Sequence, residues 1–320
     1  LDVYDLYAKL CLDSSEYEKG LKDAKSSAGG LTGLFEKVGS VTSTVGKGIF
    51  NVASKVAAVS VAATTAGEAA VSALTTLAVN SYADYEQLVG GVETLYKDSA
   101  AKVQQYAADA YKTSGMTANE YMTTATSYAA ALVSSLGGDT ERAAELSNMA
   151  VSDMADNWNK FGSSADSVQD AYNGFAKGQF QLLDNLKLGY GGTKTEMERL
   201  IKDANKLNAA QGKATNYTID SFSDIILAIH DIQTEYDITG TTAKEASTTI
   251  SGSLSAAKAA WANLVTGVAD DNANFGQLIS NFVDSATTAA SNIIPRVEVA
   301  LNGAAKLIES LVPPIMAELP

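Results

Sequence analysis

The sequence predicts an all-α protein: successive helices with glycine-rich breaks, one short N-terminal strand and a partly elongated build. Three observations predict it. All four prolines, Pro295, Pro313, Pro314 and Pro320, fall in the last 26 of 320 residues. Proline removes an amide donor and clashes with the preceding helical turn, so a proline-free run of 294 residues is what consecutive helices would show. Apolar residues also recur at steps of three and four, the spacing of one helix face. Glycines and Ser, Thr or Asp residues stand where helices of that kind stop and start.

The first 25 residues differ from the rest. In "DVYDLYAKLCLD", Val3, Asp5, Tyr7, Lys9 and Cys11 alternate with Tyr4, Leu6, Ala8, Leu10 and Leu12, a period of two that predicts a strand. Ser14 or Ser15 then caps a short helix, "SEYEKGLKDAK". Residues 1–25 are read as a strand-helix piece.

Residues 26–80 are read as a Gly/Ala/Val-rich elongated helical segment. Leu31, Leu34, Val38, Val41, Val45, Ile49, Val52, Val56 and Val59 form a seam close to the 3.5-residue period of a coiled coil. That seam serves either a helix of the same chain or an identical chain. Glycines at 39, 46 and 48 weaken it by roughly 1 kcal/mol each relative to Ala. The stretch "VAAVSVAATTAGEAAVSALTTLAV" carries Glu68 as its one charge. The uncharged runs beside Glu68 are shorter than a membrane span of about 18 residues and are diluted by Ser and Thr. They favour a buried helix interface over a membrane-active segment spanning residues 49–79.

From residue 81 the punctuation sharpens. In "LVGGVETLYKDS" the pair Gly90 and Gly91 predicts the end of one helix and a turn to the next. Val103, Tyr106, Ala107, Ala110 and Tyr111 share a face that Gly115 closes, and Thr117 with Glu120 makes a capping box. Tyr121, Ala125, Tyr128, Leu132 and Leu136 line one helix up to Gly137. Asp139 caps another that reaches Trp158 and Phe161 before Gly162. Thr193 with Glu196 starts a helix bearing Met197, Leu200 and Ile201. Thr242 with Glu245 starts one that carries Ile250, Leu254, Trp261 and Leu264. Residues 81–216 are read as a helical core, 217–294 as its continuation, and 295–320 as the start of a Pro-containing region.

Charge and chemistry restrict the function classes. Net charge is −14, and 217–320 alone carries 4 basic and 12 acidic residues, which disfavours direct nucleic-acid binding. One cysteine, Cys11, and one histidine, His230, leave neither a disulfide framework nor a Cys/His zinc set. His230 sits in "DIILAIHDIQTEYD" among isoleucines and carboxylates, where a structural role is expected in place of a catalytic base. The carboxylate pairs Glu93 with Asp98 and Asp153 with Asp156 are expected on solvated helix faces. The buried faces of tyrosines such as Tyr106, Tyr111, Tyr121 and Tyr128 are expected to pack, with a polar edge left for water or backbone. No catalytic, cofactor-binding or metal-binding residue is assigned, and no enzyme activity is expected. The start "LDVYDLYAKLCLD" lacks the basic opening of a leader peptide, and with the ending "PPIMAELP" it reads as the N-terminal part of a longer chain.

The stretch from "NSYADYEQLVGGVETLYKDSAAKVQQYAADAYKTSG" through "LGGDTERAAELSNMAVSDMADNWNKFG", followed by "LLDNLKLGYGGTKTEMERLIKDANKL", resembles the core region of bacteriophage tail tape measure proteins. "DVYDLYAKLCLDSSEYEKGLKDA" resembles their N-terminus in phages of Gram-positive hosts, and "GTTAKEASTTISGSLSAAKAAWANLVTGVADDNANFGQLISNFVDSA" resembles the segment that follows their core. The resemblance implies a virion protein in the lumen of the tail tube, assembled in the host cytoplasm. It would set tail length and assist genome ejection. It implies as partners the tail tube protein, tail assembly chaperones, distal tail or baseplate proteins, other copies of the chain and, during ejection, the host membrane. No cofactor is implied. The competing reading is a membrane-active, pore-forming or toxin-like helical protein acting through residues 49–79.

Overall fold

The computed structural model describes residues 67–318, with side chains at 74–297 and 299. The N-terminal strand, the seam from Leu31 to Val59 and residues 49–66 of the Ala/Val-rich stretch lie outside the described residues. Those described are helical with short connections, and no strand occurs among them. Asn80–Thr266 forms one compact unit; residues 67–79 and 267–318 belong to another.

Helix α1, Gly67–Tyr96, overturns the expected break: it runs straight through Gly90 and Gly91, neither of which has a positive φ. Two helical glycines cost roughly 2 kcal/mol, whereas Val92 and Tyr96, one turn apart, are both fully buried and return more than that. The chain leaves the helix only at Lys97, with φ of 49°, in a 3₁₀ turn at Lys97–Ser99. Helix α2, Ala100–Thr113, buries Val103, Ala107, Ala110 and Tyr111, and Gly115 closes it at φ of 68°.

The capping box forms at α3, Ala118–Ser127: Glu120 N–H donates to Thr117 Oγ1 at 3.1 Å, and Thr117 N–H to Glu120 Oε2 at 2.8 Å. The single helix expected onward to Leu136 is interrupted at Tyr128, where α4, Ala129–Ser135, takes over. The hydroxyls of Thr123, Thr124, Thr126 and Ser127 donate back to carbonyls of the preceding turn, an arrangement that bends helices.

Helix α5, Thr140–Phe161, starts on the Asp139 carboxylate and ends at Gly162, whose φ is 64°. It is the axle of the unit, packed against α2, α3, α4, α6 (Ala165–Phe175), α8 (Phe222–Glu235) and α9 (Thr241–Thr248). Alanines at 143, 144, 150 and 155 let neighbours approach from several sides, and all four are buried. Helix α7, Lys194–Ala210, starts on Thr193 and lies along α8. The expected single helix from Thr242 to Leu264 is two, α9 and α10 (Ile250–Gly267), parted by extended Thr249.

In the other unit, α11 spans Phe275–Glu318 and contains Pro295, Pro313 and Pro314, so residue 295 starts no new element. A proline inside a helix forfeits one backbone bond and costs about 3 kcal/mol. Buried Phe282, Ala289, Ala290 and Ile293 hold the helix immediately upstream of Pro295.

Candidate functional site

Because α5 is packed on several sides along its middle, polar residues there are taken inside. Asp153 and Asp156, expected on a solvated face, are 1% and 3% exposed, which corrects that expectation. Asn157 beside them is fully buried. Each carboxylate has found partners instead.

His230 on α8 places Nδ1 3.0 Å from both Asp153 oxygens. Burial pushes the Asp153 carboxyl up to about 6, although His230 pulls it down. The Asp153 hydrogen bond raises His230, against a smaller opposing effect of its own partial burial. Asp156 accepts from the backbone N–H groups of Gly240, at 2.6 Å, and Thr242, at 2.7 Å. A carboxylate from another helix therefore caps α9, a role the sequence assigned to Thr242 itself. Gly240 stands at φ of 83° immediately before that helix, which lets both N–H groups converge on one side chain. Burial raises Asp156 as well, and the Thr242 and Gly240 bonds oppose the shift.

The tyrosines form a second buried polar group. Tyr96 OH lies 3.0 Å from the Ala125 carbonyl and 2.9 Å from Ser147 Oγ, while Tyr128 OH donates to the Ser147 carbonyl at 3.3 Å. Burial raises both phenols, Tyr96 to about 12. The polar edge of each ring is spent on backbone and serine inside the unit.

A carboxylate and an imidazole in contact are the orienting half of a hydrolytic triad. The other half would be a hydroxyl or thiol bonded to Nε2, and the hydrogen bonds His230 makes run from Nδ1 to Asp153. Glu93 and Asp98 are both exposed on the surface. Among the described residues no group of three or more His, Cys, Asp or Glu side chains is placed to hold a metal ion. An open groove of about 780 Å³ runs between α1, α3 and the start of α6, lined by Asp84, Leu88, Asn119, Glu120, Trp158 and Asp166. The arrangement ties helices together.

No family model, curated protein or solved structure matches the chain. Among the described residues no helix is long and apolar enough to cross a membrane.

Proposed function

We propose that the chain is a phage tail tape measure protein, a non-enzymatic ruler in the tail tube that sets tail length during assembly and assists genome delivery. The ordered run of resembling stretches from Asn80 to Leu207 carries this reading. Their place within one compact helical unit, Asn80–Thr266, supports it. In the proposal that unit is a folded head at which tube protein or assembly chaperones gather. The Gly/Ala/Val-rich segment, residues 26–80, would supply the elongated part, its Val-rich seam serving either a helix of the same chain or an identical chain.

A helix suits a ruler because 1.5 Å per residue is a stiff conversion of sequence into length. Glycine breaks such as Gly115 and Gly162 would keep the head compact, and the acidic balance would keep the chain from trapping DNA in the lumen. Mass spectrometry of purified virions from the phage that encodes the chain should find it in the tail fraction, protected from protease until the tube is opened. Its absence from tails would end the proposal.

A further inference from the structure

The glycine pair inside α1 serves nothing within the compact unit. Neither Gly90 nor Gly91 adopts a positive φ, so no turn requires them. Among the described residues a Cβ on either would meet no atom within 4 Å, so no neighbouring helix packs too closely to admit one. Each still costs roughly 1 kcal/mol relative to Ala in a helix. The use left for a helical glycine is close approach to its backbone by something from outside.

Gly91 stands on the wall of the 780 Å³ groove between α1, α3 and the start of α6. On α1 the groove is lined by Asp84, Gln87, Leu88 and Gly91, one stripe at helical spacing; on α3, Asn119, Thr123 and Thr126 make another. Two helices with stripes along one trough have the form that receives a third helix laid lengthwise. Glycine at 91 lowers one wall, and partly buried Leu88 and Trp158 give an occupant apolar surface to cover. Charge selects the occupant. Asp84, Glu120 and Asp166 line the groove, and no Lys, Arg or His does. None of these carboxylates is in an ion pair with another described residue. A negative trough with low-dielectric walls attracts cations and repels acidic segments, including those of a second copy of a chain whose net charge is −14.

We infer that the groove is a docking site for a basic helical segment of another protein, laid along α1 with its backbone close to Gly91 and its Lys or Arg side chains against Asp84, Glu120 and Asp166. Glu120 can serve both roles, because its capping bond uses Oε2. The glycine then favours binding at the expense of stability, a common trade at functional sites. The site stands on the groove alone and holds whether or not the chain is a ruler.

The test titrates the full chain into a rhodamine-labelled, end-capped helical peptide of about 14 alanine, leucine and lysine residues, read by fluorescence anisotropy. The same peptide with glutamate for lysine is the charge control. The lysine peptide should bind at least about tenfold more tightly than the glutamate one. Gly91→Leu, which fills the groove without changing its charge, should weaken that binding by about tenfold, and so should Asp84→Lys. Glu141→Gln, which removes an exposed carboxylate elsewhere, should leave it within about twofold. Gly91→Ala should weaken binding by about threefold yet raise the urea midpoint by about 0.5 M, opposite signs that a merely structural glycine would not give. Equal binding by Gly91→Leu and the unmodified chain would show attraction to the acidic surface at large and overturn the inference. Binding of neither peptide, or of both alike, would overturn it too. So would a dimer of the chain that Gly91→Leu dissociates, which would give the groove to a second copy. Should Gly91→Leu fail to fold, Gly91→Ala decides, and unchanged peptide binding by that variant refutes the site.

Discussion

Replacing His230 with Ala removes the hydrogen-bond partner of a carboxylate that is 1% exposed. Breaking a buried pair in this way costs about 3–5 kcal/mol. The His230 side chain is 27% exposed, so water partly replaces it and the low end, about 3 kcal/mol, applies at pH 7.5. With a urea slope of about 2 kcal/mol/M, the midpoint should fall by roughly 1.5 M. The loss should shrink in acid. Asp153 is raised to about 6 from 3.8, so its burial cost is present above about pH 6 and is relieved as the pH falls toward 3.8. His230 is raised too, so its contribution to the unmodified protein is full below its ordinary value and is lost as the pH rises through the folded one. At pH 5.0 His230→Ala still removes that contribution, but protonation of the Asp153 carboxyl offsets part of it, so the loss should fall to about 2 kcal/mol. Adding Asp153→Asn should rescue the pH 7.5 loss in part, giving a coupling energy of about 1–2 kcal/mol. Urea unfolding of the full chain, followed by the fluorescence of Trp158 and Trp261 within this unit, reads all three quantities. A loss below 0.5 kcal/mol at pH 7.5, on the order of a neutral surface change, would refute the reasoning, as would one equal at both pH values.

Asp156→Ala should strip α9 of its cap, costing about 2–3 kcal/mol and opening the Gly240 and Thr242 amides to hydrogen exchange; Asp156→Asn should cost about half. Thr117→Ala should cost about 1 kcal/mol through the capping box, measured by urea midpoint. Gly90→Ala should stabilise by about 0.5–1 kcal/mol, since the position is helical and a Cβ meets nothing within 4 Å. Gly162→Ala, at a φ of 64°, should destabilise by about 1 kcal/mol; calorimetry of the pair gives shifts of opposite sign.

Much of the fold was legible because its signals are local. Thr117 with Glu120, Asp139 and Thr193 start helices through bonds to groups three residues away, and Gly115 and Gly162 end them through their own φ. What the sequence hid depends on partners distant along the chain. The glycine pair in α1 reads as a turn until Val92 and Tyr96 are seen to be buried on one face beyond it. Thr242 resembles a cap, but the side chain that caps α9 comes from Asp156, 86 residues earlier. Asp153 and Asp156 looked solvated because acidic residues are plentiful, and only the encirclement of α5 takes them inside. One signal was available: "MADNW" puts Asp156 and Asn157 within the apolar run of Met154, Ala155 and Trp158, where a solvated face would be polar throughout.

The proposed role as a ruler rests most directly on length. If the segment between Leu31 and Val79 is an extended helical part, each residue there spans about 1.5 Å, so an in-frame deletion of about 28 residues, in whole heptads, removes roughly 40 Å. Electron microscopy of virions carrying that deletion should show tails shorter by this amount, rounded to whole tube rings. Viable virions with tails of unchanged length would contradict the account.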